Sequence, residues 1–96
     1  MAVYAVVEVE IMNIDGMAPY MVAVSDTIAE YGGKFLVRGG ATEVVEGGLG
    51  EYPLKVIVEF PSKEVAVGWY ESAGYQAILP YRTANSKCNF IWVDGV

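Results

Sequence analysis

The chain opens on alternation. From Val3 to Ile11 the odd positions are Val3, Ala5, Val7, Val9 and Ile11, and the even positions are Tyr4, Val6, Glu8 and Glu10. A two-residue period rich in β-branched side chains predicts a strand, apolar on one face and turning polar halfway along the other. Asn13-Ile14-Asp15-Gly16 reads as a turn. The period then changes: Met17, Met21, Val24, Ile28 and Tyr31 follow at spacings of four, three, four and three, a helical stripe with Pro19 in its first turn. Gly32-Gly33 ends that helix, because a glycine can take the left-handed conformation that closes it. Lys34 to Arg38 predicts a second strand. Gly39-Gly40 falls inside an extended stretch that runs on through Thr42 to Glu46, where paired glycines imply a bulge or sharp bend. Gly47 to Gly50 is a flexible connection, and Leu54 to Phe60 a third strand with Val56, Val58 and Phe60 on one face and Lys55, Ile57 and Glu59 on the other. Ser62 is placed to cap a second helix, with Glu64 in its first turn. Ala66, Trp69, Tyr70, Ala73 and Ala77 form its stripe, and Gly74 divides it into a helix and a short extra turn. Pro80 to Lys87 reads as a loop and Cys88 to Asp94 as the last strand.

The order strand–helix–strand, strand–helix–strand is a split βαβ pair. It predicts one α+β domain over residues 1–96, ferredoxin-like βαββαβ, with a four-stranded antiparallel sheet and two helices on one face. Two helices cover only that face. The other is not polar: the first strand is apolar on both sides in its first half, Ile57 lies opposite the Val-Val-Phe face, and Phe90 and Trp92 alternate with Ile91 and Val93. Strands apolar on both sides are normally buried on both sides. With no further chain to cover the second face, a second copy is expected, paired about a two-fold axis.

Composition agrees. Hydrophobic residues make up 54% of the 96, above the roughly 45–50% of ordinary soluble domains, so apolar surface is left over for a partner. The net charge is −6, with the acids spread along the chain. That disfavours phosphate backbones and anionic membrane surfaces as partners. No apolar run approaches the roughly 20 residues that span a bilayer, the first residues lack a basic region before their apolar run, and a single cysteine suits a reducing compartment; a cytoplasmic location is the expectation. There is no histidine, which removes Ser-His-Asp and Cys-His catalysis and His-ligated zinc and haem. Cys88 reads as a small core residue. The glycine pairs do not form a phosphate-binding loop. No metal and no cofactor are implied.

What chemistry is left lies in polar residues at costly positions. Glu59 stands between Val58 and Phe60, on the face assigned to the dimer interior, and Glu8 and Glu10 lie on the same side of the first strand. Arg38 closes the second strand, where the hairpin is expected to bring it near Glu59. A carboxylate in apolar surroundings has either a raised pKa, the profile of a general base, or a cationic partner; both readings, base and structural ion pair, stay open for Glu59 and Arg38. Trp69, Tyr70 and Tyr75 gather around the second helix and suit the wall of a small-molecule pocket or simply the core. Tyr75 and Arg82 flank the loop before the last strand, the expected mouth of a cleft.

The run Tyr31-Gly32-Gly33-Lys34-Phe35-Leu36-Val37-Arg38-Gly39-Gly40 resembles the signature of the family called domain of unknown function 1330. So do Val58-Glu59-Phe60-Pro61-Ser62, Ala66 with Trp69-Tyr70-Glu71-Ser72, Gly74-Tyr75-Gln76-Ala77-Ile78 with Arg82, and the closing Val93-Asp94-Gly95. The resemblance covers nearly the whole chain; it departs from the family pattern at Gly74 and Tyr81. It implies a dimeric α+β barrel, a superfamily with cofactor-less monooxygenases, lactone isomerases and haem-degrading enzymes, the last set aside by the missing histidine. Two functions are then in view. One is a homodimer that binds a small organic molecule, as a binder or a cofactor-less enzyme, with Arg38 orienting an anionic or carbonyl group, Glu59 as base or acceptor, and Trp69, Tyr75 and Arg82 around the ligand. The other is a non-enzymatic structural or regulatory homodimer with a filled barrel.

Overall fold

Side-chain period translates directly into the architecture. The computed structural model covers residues 1–96 and runs β1 (Val3–Ile11), α1 (Ile14–Glu30), β2 (Lys34–Arg38), β3 (Leu54–Phe60), α2 (Lys63–Glu71), α3 (Ala73–Asn85) and β4 (Ser86–Asp94). The four strands form one antiparallel sheet in the order β2-β3-β1-β4. This is the ferredoxin-like α+β arrangement expected from the element order. No helix is long and apolar enough to cross a membrane.

Helix boundaries differ from the sequence reading in three places. The residues read as a turn before the first helix are its beginning: the Asn13 side chain accepts a hydrogen bond from the Gly16 amide at 3.2 Å, so the helix starts at Ile14. Pro19 therefore lies inside α1 and leaves the Asp15 carbonyl without its intrahelical donor. The second helical segment is broken as predicted, but at Ser72, and the part beyond the break is a full helix of 13 residues. Ser72 Oγ accepts from the Tyr75 amide at 3.2 Å and donates to the Trp69 carbonyl at 2.7 Å, ending α2 and starting α3 with one side chain. The expected loop from Pro80 to Lys87 is helix as far as Asn85, because Tyr75 and Arg82, two turns apart, both turn inward and hold it to the core.

Gly39-Gly40 is not an extended bulge. The strand ends at Arg38, and Gly39 takes a φ of +70°. The register shift in β2 lies between Phe35 and Val37 instead, so Phe35 and Arg38 both fall on the helix side while Val37 pairs with Ile57 on the other. Gly32, at a φ of +73°, turns the chain out of α1. Gly33 has no room for a side chain: a Cβ there would stand 2.6 Å from the Phe60 ring and 2.8 Å from Ile28. Those two glycines let α1 and β3 close on each other.

The core lies between the sheet and the helices. Val3, Ala5, Val58 and Phe60 from the sheet meet Val24, Ile28, Ala66, Trp69 and Tyr75 from the helices. Trp69 anchors it, with ring centroids 4.1 Å from Tyr75 and 5.1 Å from Phe60 and its indole N–H donating to Thr27 Oγ1 at 3.1 Å. Truncating so large a buried side chain typically costs about 3–5 kcal/mol.

The opposite face of the sheet is bare. Val6 pairs with Ile57 on one side and Ile91 on the other, and Ile91 and Val93 are 55% and 42% exposed. One end of this face is polar. Glu8 accepts from Lys55 Nζ at 2.8 Å, from Asn89 Nδ2 at 2.8 Å and from the Glu51 amide at 3.2 Å, and Asn89 also donates to Glu51 at 2.7 Å. This network straps the segment before β3 onto the sheet.

Candidate functional site

Between the sheet and the helices lies a cavity of about 300 Å³, within the size range of small-molecule sites. Its walls are apolar and come from both layers: Ala5, Val7 and Val9 of β1, Val56 and Val58 of β3 and Phe90 of β4 on one side, Met17, Val24, Ile28 and Trp69 on the other. The strand residues are those of the helix-facing register, and the α1 residues are the stripe seen in the sequence. Cavity and core are thus one layer, filled around Trp69 and left open beside it.

Three polar side chains also line it, Tyr20, Arg38 and Arg82. Arg38 stands at an exposed rim. It reaches from the end of β2 to α1, donating to Ser25 Oγ at 2.9 Å and to the Met21 carbonyl at 3.0 Å, with its guanidinium 4.4 Å from the Phe35 ring centre. Arg82 is its opposite. It sits in the last turn of α3, where the helix dipole favours a cation, and is only 7% exposed. Its Nη1 donates to Cys88 Sγ, its Nε is buried with no hydrogen-bond partner, and its charge lies 5.9 and 5.8 Å from the rings of Tyr20 and Phe90, within cation–π range. The ion pairs in the molecule are Lys34–Glu59 and Lys55–Glu8, so Arg82 has no carboxylate. A buried charge without a counter-charge costs several kcal/mol.

Beside Arg82 the hydroxyls of Tyr20 and Tyr75 share a hydrogen bond of 2.8 Å, with the rings edge-on at 6.0 Å. Burial raises both phenols above their ordinary value, and for Tyr20 the neighbouring Tyr75 adds to the effect. Both therefore stay protonated at neutral pH. Two hydroxyls sharing one bond leave one O–H proton unused.

The sequence candidates separate on this geometry. Trp69, Tyr75 and Arg82 come together, and Arg38 joins them at the rim. Glu59 does not. The expected Arg38–Glu59 pair is absent because the register sets Arg38 opposite Val56 and Glu59 opposite Lys34; Glu59 instead faces the bare side of the sheet and pairs with Lys34 at 3.6 Å. The bulge at Leu36 puts Arg38 on the other face. The carboxylate that does make a network on that bare face is Glu8, whose hydrogen bonds from Lys55 and Asn89 hold its carboxyl below the ordinary range. Arg82 is a buried helical residue and not part of a loop. Cys88 is half-buried and touches Arg82. No three of the chain's Cys, Asp and Glu side chains meet in a cluster suited to a metal ion. Tyr20 is not among the residues that the sequence singles out, although Met17, Tyr20, Val24 and Ile28 also follow a helical spacing; Met21, which the sequence stripe sets in its place, is 40% exposed.

The fold recurs in solved structures. A protein of unknown function from Rhodopseudomonas palustris superposes with a TM-score of 0.81 at 17% identity, over 99% of this chain and 82% of that one. A dimeric ferredoxin-like protein of unknown function from Jannaschia sp. CCS1 gives 0.77 at 16% identity, over 99% and 100%. An antibiotic biosynthesis monooxygenase gives 0.53 at 8% identity, over 100% and 99%. At these identities the likeness is one of fold. No curated protein matches the chain. The family model described as Domain of unknown function (DUF1330) matches residues 2–96, which spans every element above, and the chain belongs to that family.

Proposed function

We infer that the protein is a homodimer that binds a small organic molecule in the cavity between its sheet and its helices. The cavity itself carries this reading. About 300 Å³ of apolar space is kept open beside a tightly packed tryptophan, whereas a protein serving only as a structural module gains nothing from the void, since unfilled space forfeits packing energy. Arg38 at the rim, Arg82 at the buried end and Trp69 in the wall contact the ligand, with Tyr75 reaching it through Tyr20. Glu59, on the far side of the sheet, has no part in this cavity. Any conversion of the bound molecule, of a cofactor-less monooxygenase or isomerase kind, would take place in the same space.

The dimer forms through the bare face of the sheet. Val6, Ile57, Ile91 and Val93 give it an apolar centre, and the ferredoxin-like neighbour from Jannaschia is dimeric. A thermal-shift screen of a metabolite library tests the binding. A hit is expected to lose its effect in Val56→Phe, which fills the cavity from β3, and to keep it in Glu59→Gln. Hits that stabilise Val56→Phe as well as they stabilise the wild type would place binding elsewhere and defeat this reading.

A further inference from the structure

We propose that the cavity selects organic acids with a single negative charge on a mostly apolar body, and that Arg82 is the residue that binds the anionic group. This rests on the cavity being a ligand site, and it goes further by naming the ligand's chemistry. Arg82 is buried, yet it is one of only six basic residues in a chain with twelve acidic ones, and none of the twelve reaches it: both ion pairs involve lysines. Buried guanidinium groups are ordinarily neutralised by a carboxylate. This one has a thiol at Nη1, a weak acceptor, and nothing at Nε. Its counter-charge is therefore missing from the chain itself.

The surroundings specify the rest of the ligand. The Tyr20–Tyr75 hydroxyl pair holds one O–H proton in reserve, and both phenols stay neutral and able to donate. At the buried end, away from Arg38 at the rim, one guanidinium and one phenol suit a carboxylate or enolate and are too few for a phosphate dianion. Away from this end the walls, among them Val9, Val24 and Phe90, are apolar, and the other polar group, Arg38, stands at the exposed rim with its guanidinium bonded to Ser25 and the Met21 carbonyl, so the ligand's body is apolar. Glu8, Glu51 and Glu59 lie on the opposite side of the sheet or its edge network and do not oppose the anion across the cavity.

Titration calorimetry at neutral pH with three probes tests the proposal: phenylacetate, its uncharged analogue phenylacetamide, and indole as a neutral apolar probe. In the wild type phenylacetate should bind at least about tenfold more tightly than phenylacetamide, a difference of about 1.4 kcal/mol. Arg82→Met should erase that preference while indole still binds. Replacing a buried unpaired charge by an apolar side chain of similar length is compatible with folding; Arg82→Gln serves the same purpose should the methionine variant fail to fold. Equal binding of acid and amide by the wild type, with indole bound, would overturn the anion preference and leave the cavity standing. A preference that survives both Arg82 variants would overturn the role of Arg82. If the wild type binds none of the three, the cavity reading falls and this proposal with it.

Discussion

Single residues carry more than their composition implies, and Glu8 shows how. It is one of twelve acids, placed by alternation on the bare face of β1, and nothing about its neighbours in the chain distinguishes it from Glu10. In the fold it accepts three hydrogen bonds, from Lys55, Asn89 and the Glu51 amide, and its carboxyl titrates below the ordinary value of 4.5. A depressed folded-state pKa means that its stabilisation is fully present above about 4.5 and fades as the pH falls through the folded value. Unfolding by denaturant at about pH 6 and about pH 3 should show the wild type losing more stability on acidification than Glu8→Gln, because only the wild type has this proton to take up. Parallel loss in the two proteins would mean that the network contributes nothing. Arg82 makes the complementary point. From the sequence it is a charge near Pro80, in what reads as a loop; only the fold buries it.

At the level of elements, the division of the second helical segment matters most. Gly74 marks the region in the sequence, but the break is made by Ser72, which caps the end of one helix and the start of the next. The break redirects the chain so that α3 packs along α1 and delivers Tyr75 and Arg82 to Tyr20. Ser72→Ala removes both bonds and should cost about 1 kcal/mol, read as a lower midpoint in thermal or chemical unfolding, with a wild-type far-ultraviolet dichroism spectrum. A midpoint equal to the wild type's would show that backbone packing alone sets the break. The strand elements were more legible than the helix ends. A two-residue period locates a strand and its faces at once, whereas a helix end depends on capping side chains that look like turn residues, as Asn13 and Ser72 do.

The whole molecule presents an apolar sheet face that its own helices do not cover. Ile91, paired with Val6 near the middle of that face and 55% exposed, is the residue to test. Ile91→Asp should shift the mass measured by light scattering from that of two chains to that of one, because a carboxylate buried at the centre of the interface has no partner there. A wild-type protein that already runs as a single chain at micromolar concentration would refute the dimer outright. The proposed interface and the proposed ligand cavity lie on opposite faces of the sheet, so Ile91→Asp is expected to disturb the first and spare the cavity's lining.

Pattern alone determined a good deal. The two-residue and helical periods, with glycine and serine at the boundaries, specified four strands, the faces of three of them and the α+β order, because these depend only on how side chains project from a local backbone. The excess of apolar positions on the second sheet face pointed to self-pairing for the same reason. The site was legible only as a collection of residue types. Which polar groups meet is decided by strand register and helix packing over long sequence separations: a one-residue bulge in β2 sent Arg38 to the cavity side and left Glu59 to Lys34, and the break at Ser72 carried Arg82 into the interior. The cavity itself, and the unpaired charge at its end, exist only where two layers meet, and no periodicity along one chain records the space between them.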